Sequence, residues 1–464
     1  MNNDSIPQML KDAVAAHPEL GCAELIYNLL ITHVVHDCSR IGIYAAHLFW
    51  MRVKQYQLPR FYIFAAIADA TRSWTLSDEL RNALPQNLDE VCYELAIRDA
   101  PTEVTGPNIL SALGLYVLAT YEFKSARFAP MVEHSFLAYK FIVSLKFRGV
   151  PFPWRAARGM RKVVGVDCNY QLLIRAFWRI CASLHYSIEI FNIDPPDDRD
   201  YLPEFPAHDE FFVQHVFVPD ESEEFGFQTV PAPYHVPDTG GGDFTAVYCE
   251  LNIRQFKLTN FFNRVRRNEK TAMSYINFLR EWDRQLLQWR DSLPTHFSAD
   301  LEALARQTQP LDVRRLRMNL WGLSEDEMWQ KRHQWNQDVG LTIEVLFLHI
   351  MLEKARIKGY RIGLMLLLHE DLDMVRNFQN SRALTLSELP AQQFASPICG
   401  SAAEDRDVFR SFVQTVNQAT SHAYKLFKLS YHFGCDLHAF TTLIVGALLQ
   451  VSLLYVGQVQ SADT

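Results

Sequence analysis

Tyr275, Leu279, Trp282, Leu286, Trp289 and Leu293 follow one another at steps of four, three, four, three and four residues. Only an α-helix brings such steps onto one side, so the run predicts a helix with an apolar stripe. It stops at Pro294, because proline disfavours α geometry in the residue before it. Arg280, Glu281, Asp283, Arg284, Arg290 and Asp291 fall between the stripe positions and are expected on the outward faces. Similar spacing predicts helices near 20–35, 42–54, 59–74, 87–98, 107–121, 130–147, 169–190, 247–265, 337–368, 404–430 and 436–456. Two-residue alternation is rare and short, connections such as Gln57-Leu58-Pro59 are brief, and no fixed repeat suggests a solenoid. The fold class read from the sequence is all-α, a multi-helical bundle.

One segment breaks this pattern. Between Asp194 and Asp243 stand Pro195, Pro196, Pro203, Pro206, Pro219, Pro231, Pro233 and Pro237, followed by Gly240-Gly241-Gly242. These residues predict a long loop, about 194–243. Its 13 acids face the single cation Arg199, so the loop carries −12 while the chain as a whole carries −8, leaving +4 for the rest. Phe211, Phe212, Phe217, Phe225 and Phe227 are interspersed with acids, Glu221, Glu223 and Glu224 among them. Such a composition keeps aromatic rings solvated until a partner buries them, which makes this loop a candidate interaction segment.

Charge and cysteine usage narrow the function classes. A net charge of −8 argues against a broad phosphate-binding surface. The densest basic run, Arg254, Lys257, Arg264, Arg266, Arg267 and Lys270, is interleaved with Phe256, Phe261 and Phe262. It reads as a solvated helix face beside a core-facing aromatic stripe. Cysteines at 22, 38, 92, 168, 181, 249, 399 and 435 include no pair at metal-binding spacing, and they read as reduced thiols of an intracellular protein. The opening Met1-Asn2-Asn3-Asp4 has no signal-peptide character. The uncharged stretch Ala439 to Ser461 contains Thr441, Thr442, Gln450 and Ser452 and lacks a basic flank, so it reads as a buried helix rather than a membrane span.

The motifs that would mark an enzyme are incomplete. Asp197-Asp198-Arg199-Asp200 is one residue too tight for the magnesium-binding aspartate motif of helical cyclases, and no second metal motif answers it. His33 and His36 share a helix face, with His47 further on, but no third ligand is evident. His369-Glu370 lacks a second histidine, and the triple glycine lacks the lysine of a phosphate loop. No serine or cysteine sits in a nucleophile motif. No catalytic residue, metal or cofactor is therefore assigned from sequence.

Several segments resemble, in order, the fungal-specific transcription factor domain, the middle homology region of fungal zinc-cluster transcription factors. Pro59 to Trp74 resembles the early helix in which a proline precedes alanines and aliphatics, and PNILSALGLYVLATYEF at 107–123 resembles the leucine-rich helix closing on Tyr121-Glu122. Residues 131–147 fit the next helix loosely, and Arg175-Ala176-Phe177-Trp178 follows the basic-then-aromatic signature. Leu202-Pro203 stands downstream, without the Gly-Arg-Pro common in the family. LLQWRDSLP at 286–294 is similar to the tryptophan and Leu-Pro helix end, carried by Trp289, Leu293 and Pro294. Residues 341–358 and 399–456 resemble the closing segments.

The resemblance implies one regulatory domain over 1–464, in a nuclear regulator of a fungal pathway such as secondary metabolism. Family members carry a binuclear zinc cluster upstream, and no such run of six close cysteines stands in this sequence. The expectation is a regulator that reaches DNA through protein partners, with no direct nucleic-acid or membrane contact. A small-molecule effector and homo- or heterodimerisation fit the same reading. The alternative is a pathway enzyme, cyclase-like and pocket-based, built on this helical scaffold. Fold alone does not choose between them.

Overall fold

A computed structural model describes residues 6–33, 57–72, 78–145, 175–181, 244–293, 341–367 and 398–432, with short pieces at 53, 76, 166–167, 184, 216–219, 227–229, 297 and 327. Among them the chain is overwhelmingly α-helical, as the apolar spacing predicts. The longer elements are α1 (Gln8–Ala16), α2 (Ala23–Thr32), α3 (Arg60–Thr71), α4 (Asp78–Ala83), α5 (Leu88–Glu103), α6 (Ile109–Lys124), α7 (Phe128–Ser144), α8 (Phe244–Arg266), α9 (Ala272–Asp291), α10 (Leu341–Leu367) and α11 (Ala402–His432). Helices α1 and α4 were not expected from spacing. Both are short, and a one- or two-turn element shows little periodicity. The predicted helices at 42–54 and 436–456 lie outside the described residues except for helical Val53.

Three short strands are also formed: β1 (Val166–Asp167), β2 (Val216–Pro219) and β3 (Phe227–Thr229). β1 runs parallel to β2, pairing Val166 with Val216, and β2 runs antiparallel to β3, pairing Phe217 with Thr229 and Pro219 with Phe227. Two pieces of the predicted acidic loop are thus strands. The rest of that loop lies outside the described residues.

The chain divides into two compact units, the first formed by 1–187, 196–249 and 314–340, the second by 188–195, 250–313 and 341–464. In the first unit α3 and α6 are the central helices. Phe61 to Ala70 are all buried, as are Ser111 to Ala119 and then Tyr121 and Glu122. Helices apolar on every side belong inside a core. They approach closely because position 114 is glycine: a Cβ there would stand 2.6 Å from the Phe61 ring. Two side chains fix where these helices begin. Glu103 at the end of α5 accepts from the Phe61 amide at 2.8 Å, and Asn108 accepts from the Ser111 amide at 2.7 Å. Each occupies an amide that has no partner inside its own helix.

The second unit confirms the stripe on α9: Tyr275, Leu279, Trp282, Leu286, Trp289 and Leu293 are buried. Thr271 caps the helix by accepting from the Ser274 amide at 3.1 Å. Asp283, expected on the outward side with Arg280, Glu281 and Arg284, is instead buried, for a reason given below. On α8 the core side is carried by Leu251, Leu258 and Val265 rather than by the aromatic residues: Phe256, Phe261 and Phe262 are only half-buried, Phe261 stacked on Phe278 at 4.2 Å, and of the basic run Lys257, Arg267 and Lys270 are exposed while Arg254, Arg264 and Arg266 are half-buried. At α11 the fully buried Asp405 accepts from the Ile398 and Cys399 amides, each at 2.8 Å, pinning the chain that leads into the helix. No helix among the described residues is long and apolar enough to cross a membrane.

Candidate functional site

Two polar clusters are built into these cores, one in each unit. The first gathers where the end of α6 meets the start of α5. Tyr121 is buried by its place on α6, and its hydroxyl lies 3.2 Å from Asp89 Oδ2 and 3.3 Å from Glu90 Oε1. Asp89 also accepts from Arg72 Nε at 2.7 Å, and Glu90 pairs with Arg127. The Arg127 guanidinium lies 4.4 Å from the centre of the Tyr93 ring, a cation–π contact. Burial pushes the Tyr121 hydroxyl up to about 12, Asp89 and Glu90 adding to the rise and Ser125 opposing it. Tyr93 is raised by burial and then by Glu122.

Glu122 is the buried end of this chain of contacts. Its carboxylate accepts from the Tyr93 hydroxyl at 3.0 Å and meets His134 Nδ1 at 2.9 Å from both oxygens. An ionised carboxylate only accepts, so Nδ1 carries the proton. Among the described residues the Nε2 of this half-buried ring meets no hydrogen-bond partner. The arrangement fixes a tautomer, which is what a general base or a metal ligand requires, but no group of three metal-ligating side chains occurs among the described residues.

The second cluster follows one face of α10. His349, Glu353, Arg356 and Tyr360 stand at steps of four, three and four, and all are buried. Arg356 donates to Asp283 of α9 through Nε at 2.7 Å and Nη2 at 3.3 Å, and to Glu353 through Nη1 at 3.1 Å. Tyr360 donates to Asp283 at 2.8 Å, and His422 of α11 meets Glu353 at 2.7 Å. Burial works against the Arg356 charge, yet the Asp283 hydrogen bonds and the charges of Glu353 and Asp283 outweigh it and raise the guanidinium above its ordinary value. Asp283 is inside because this fork receives it.

The residues singled out from sequence fall as follows. Tyr121 and Glu122 belong to the first cluster. Arg175, Phe177 and Trp178 are buried, the two rings edge to face at 5.5 Å, and Arg179 beside them donates to the Tyr116 hydroxyl on α6 at 2.9 Å. Trp289 donates to Glu250 at 2.5 Å and lies under the Arg254 guanidinium, 5.2 Å from the ring centre. Leu293 is buried and Pro294 lies outside the described residues. Phe217 and Phe227 stand on β2 and β3, whereas Phe211, Phe212, Glu221, Glu223, Glu224 and Phe225 lie outside the described residues.

Of the weaker motifs, His33 is buried with Nδ1 3.6 Å from Asp69 Oδ2, a core position. His36, His47, Asp197 to Asp200, the triple glycine and His369-Glu370 lie outside the described residues. Cys22, Cys92, Cys181 and Cys399 are free thiols, the last pushed up to about 11 by burial and then by Asp405. A surface crevice in the second unit, too tight to enclose a water molecule, is lined by Gln255, Leu258, Lys354, Ala355 and Lys358, with no carboxylate or imidazole on its wall.

Sequence reading missed Asp89, Glu90, Tyr93, Arg127 and His134 in the first cluster, and Glu353, Arg356, Tyr360 and His422 in the second. The one available signal was the helical spacing of Glu353, Arg356 and Tyr360, set between the mainly apolar runs 345–352 and 362–367. Compared with models of known families, with curated proteins and with solved structures, the chain matches none.

Proposed function

We propose that this chain is the regulatory body of a fungal-type transcriptional regulator, acting in the nucleus and reaching DNA through protein partners. The observation that carries the reading is one of order. The segments that resemble the fungal regulatory domain fall on α3, α6, α7, the helical piece 175–181, the end of α9, α10 and α11, in family sequence. Their signature residues Tyr121, Glu122, Arg175, Phe177, Trp178, Trp289 and Leu293 are buried or tie helices together, as a regulatory scaffold requires. The acidic, phenylalanine-containing segment 194–243 supplies the contact surface for the transcription machinery.

The test has two arms. Tethered to an unrelated DNA-binding domain, residues 194–243 activate a reporter, and substituting Phe211, Phe212, Phe217, Phe225 and Phe227 with alanine removes that activity. The purified chain carries no stoichiometric zinc and shifts no DNA probe at physiological salt. Tight sequence-selective binding by the isolated chain, or a silent tethered segment, overturns the proposal.

A second reading, a pathway enzyme on the same scaffold, is favoured by one feature only. The Glu122–His134 pair holds an imidazole in a single tautomer with Nε2 meeting no partner among the described residues, the arrangement of a general base. A pathway conversion that His134→Gln abolishes while the far-ultraviolet circular dichroism is unchanged would favour it over the regulator.

A further inference from the structure

We draw no further inference here: the strongest candidate, the crevice between α8 and α10 in the second unit where Lys354 and Lys358 stand beside Gln255, is too tight to enclose a water molecule, both lysines already have partners, and nothing in the structure shows what anionic group would cover it.

Discussion

Replacing Arg356 with methionine keeps most of the side-chain stem and removes the charge that two buried carboxylates depend on. In the wild type the fork makes two hydrogen bonds to Asp283 and one to Glu353, whose side chains are 8% and 1% exposed. After the exchange Asp283 retains only the Tyr360 hydroxyl, and Glu353 retains only His422. Breaking a buried pair by deleting one partner costs about 3–5 kcal/mol, because the remaining charge is left uncompensated. A whole domain is stable by only about 5–15 kcal/mol, so this one change removes a large part of the second unit's margin. Urea titration followed by circular dichroism and by tryptophan fluorescence measures it, Trp282 and Trp289 on α9 reporting from the same unit. The partner variant Asp283→Asn is less damaging on the Arg356→Met background than on its own, since the two residues act as a pair. A loss below about 1 kcal/mol for Arg356→Met would place the interaction with exposed salt bridges and refute the reasoning.

Three further outcomes are expected. Burial holds the His349 imidazole below its ordinary value against the pull of the Phe297 carbonyl, 2.8 Å from Nε2. Its contribution is therefore complete above about pH 6.5 and declines as pH falls, since only the unfolded chain takes up the proton. His349→Asn flattens the acid side of the stability profile, and an unchanged slope counts against this assignment. Gly363→Ala destabilises by about 1–3 kcal/mol despite alanine's better helix propensity, because its Cβ would lie 2.5 Å from the Phe412 ring; a thermal melt at or above the wild-type midpoint would contradict it. Glu103→Ala uncaps α3 by removing the acceptor of the Phe61 amide and lowers stability by about 0.5–2 kcal/mol, read from the urea midpoint; a neutral result would mean that water replaces the cap.

What was legible in the sequence follows from what periodicity encodes. The α9 stripe is readable because its apolar steps never falter, and α6 because apolar residues dominate all its faces up to Tyr121, with only Ser111, Gly114 and Thr120 between them. The clusters were not readable, since their partners come from distant parts of the chain. Asp283 and Arg356 are 73 residues apart, and Tyr93 and Glu122 are 29 apart. A pattern rule assigns a charged residue to the outside unless it knows which cation will meet it. Asp283 was placed outward for that reason, and only the fork of Arg356 makes its burial tolerable.

The same point explains how α10 can be a core helix while carrying charge. His349, Glu353, Arg356, Tyr360 and Gly363 repeat at steps of four, three, four and three, so they form a single buried seam. Along that seam the partners alternate. Glu353 takes His422 from α11, Arg356 and Tyr360 take Asp283 from α9, and Gly363 admits the Phe412 ring of α11. An apolar seam of the same shape would tolerate a slip of one helical turn, because one leucine packs much like another. A seam with one guanidinium fork and two carboxylates tolerates no slip, since every other register leaves a charge buried without its partner. In this unit the polar residues therefore fix the register of α9, α10 and α11, while the apolar stripes supply most of the burial.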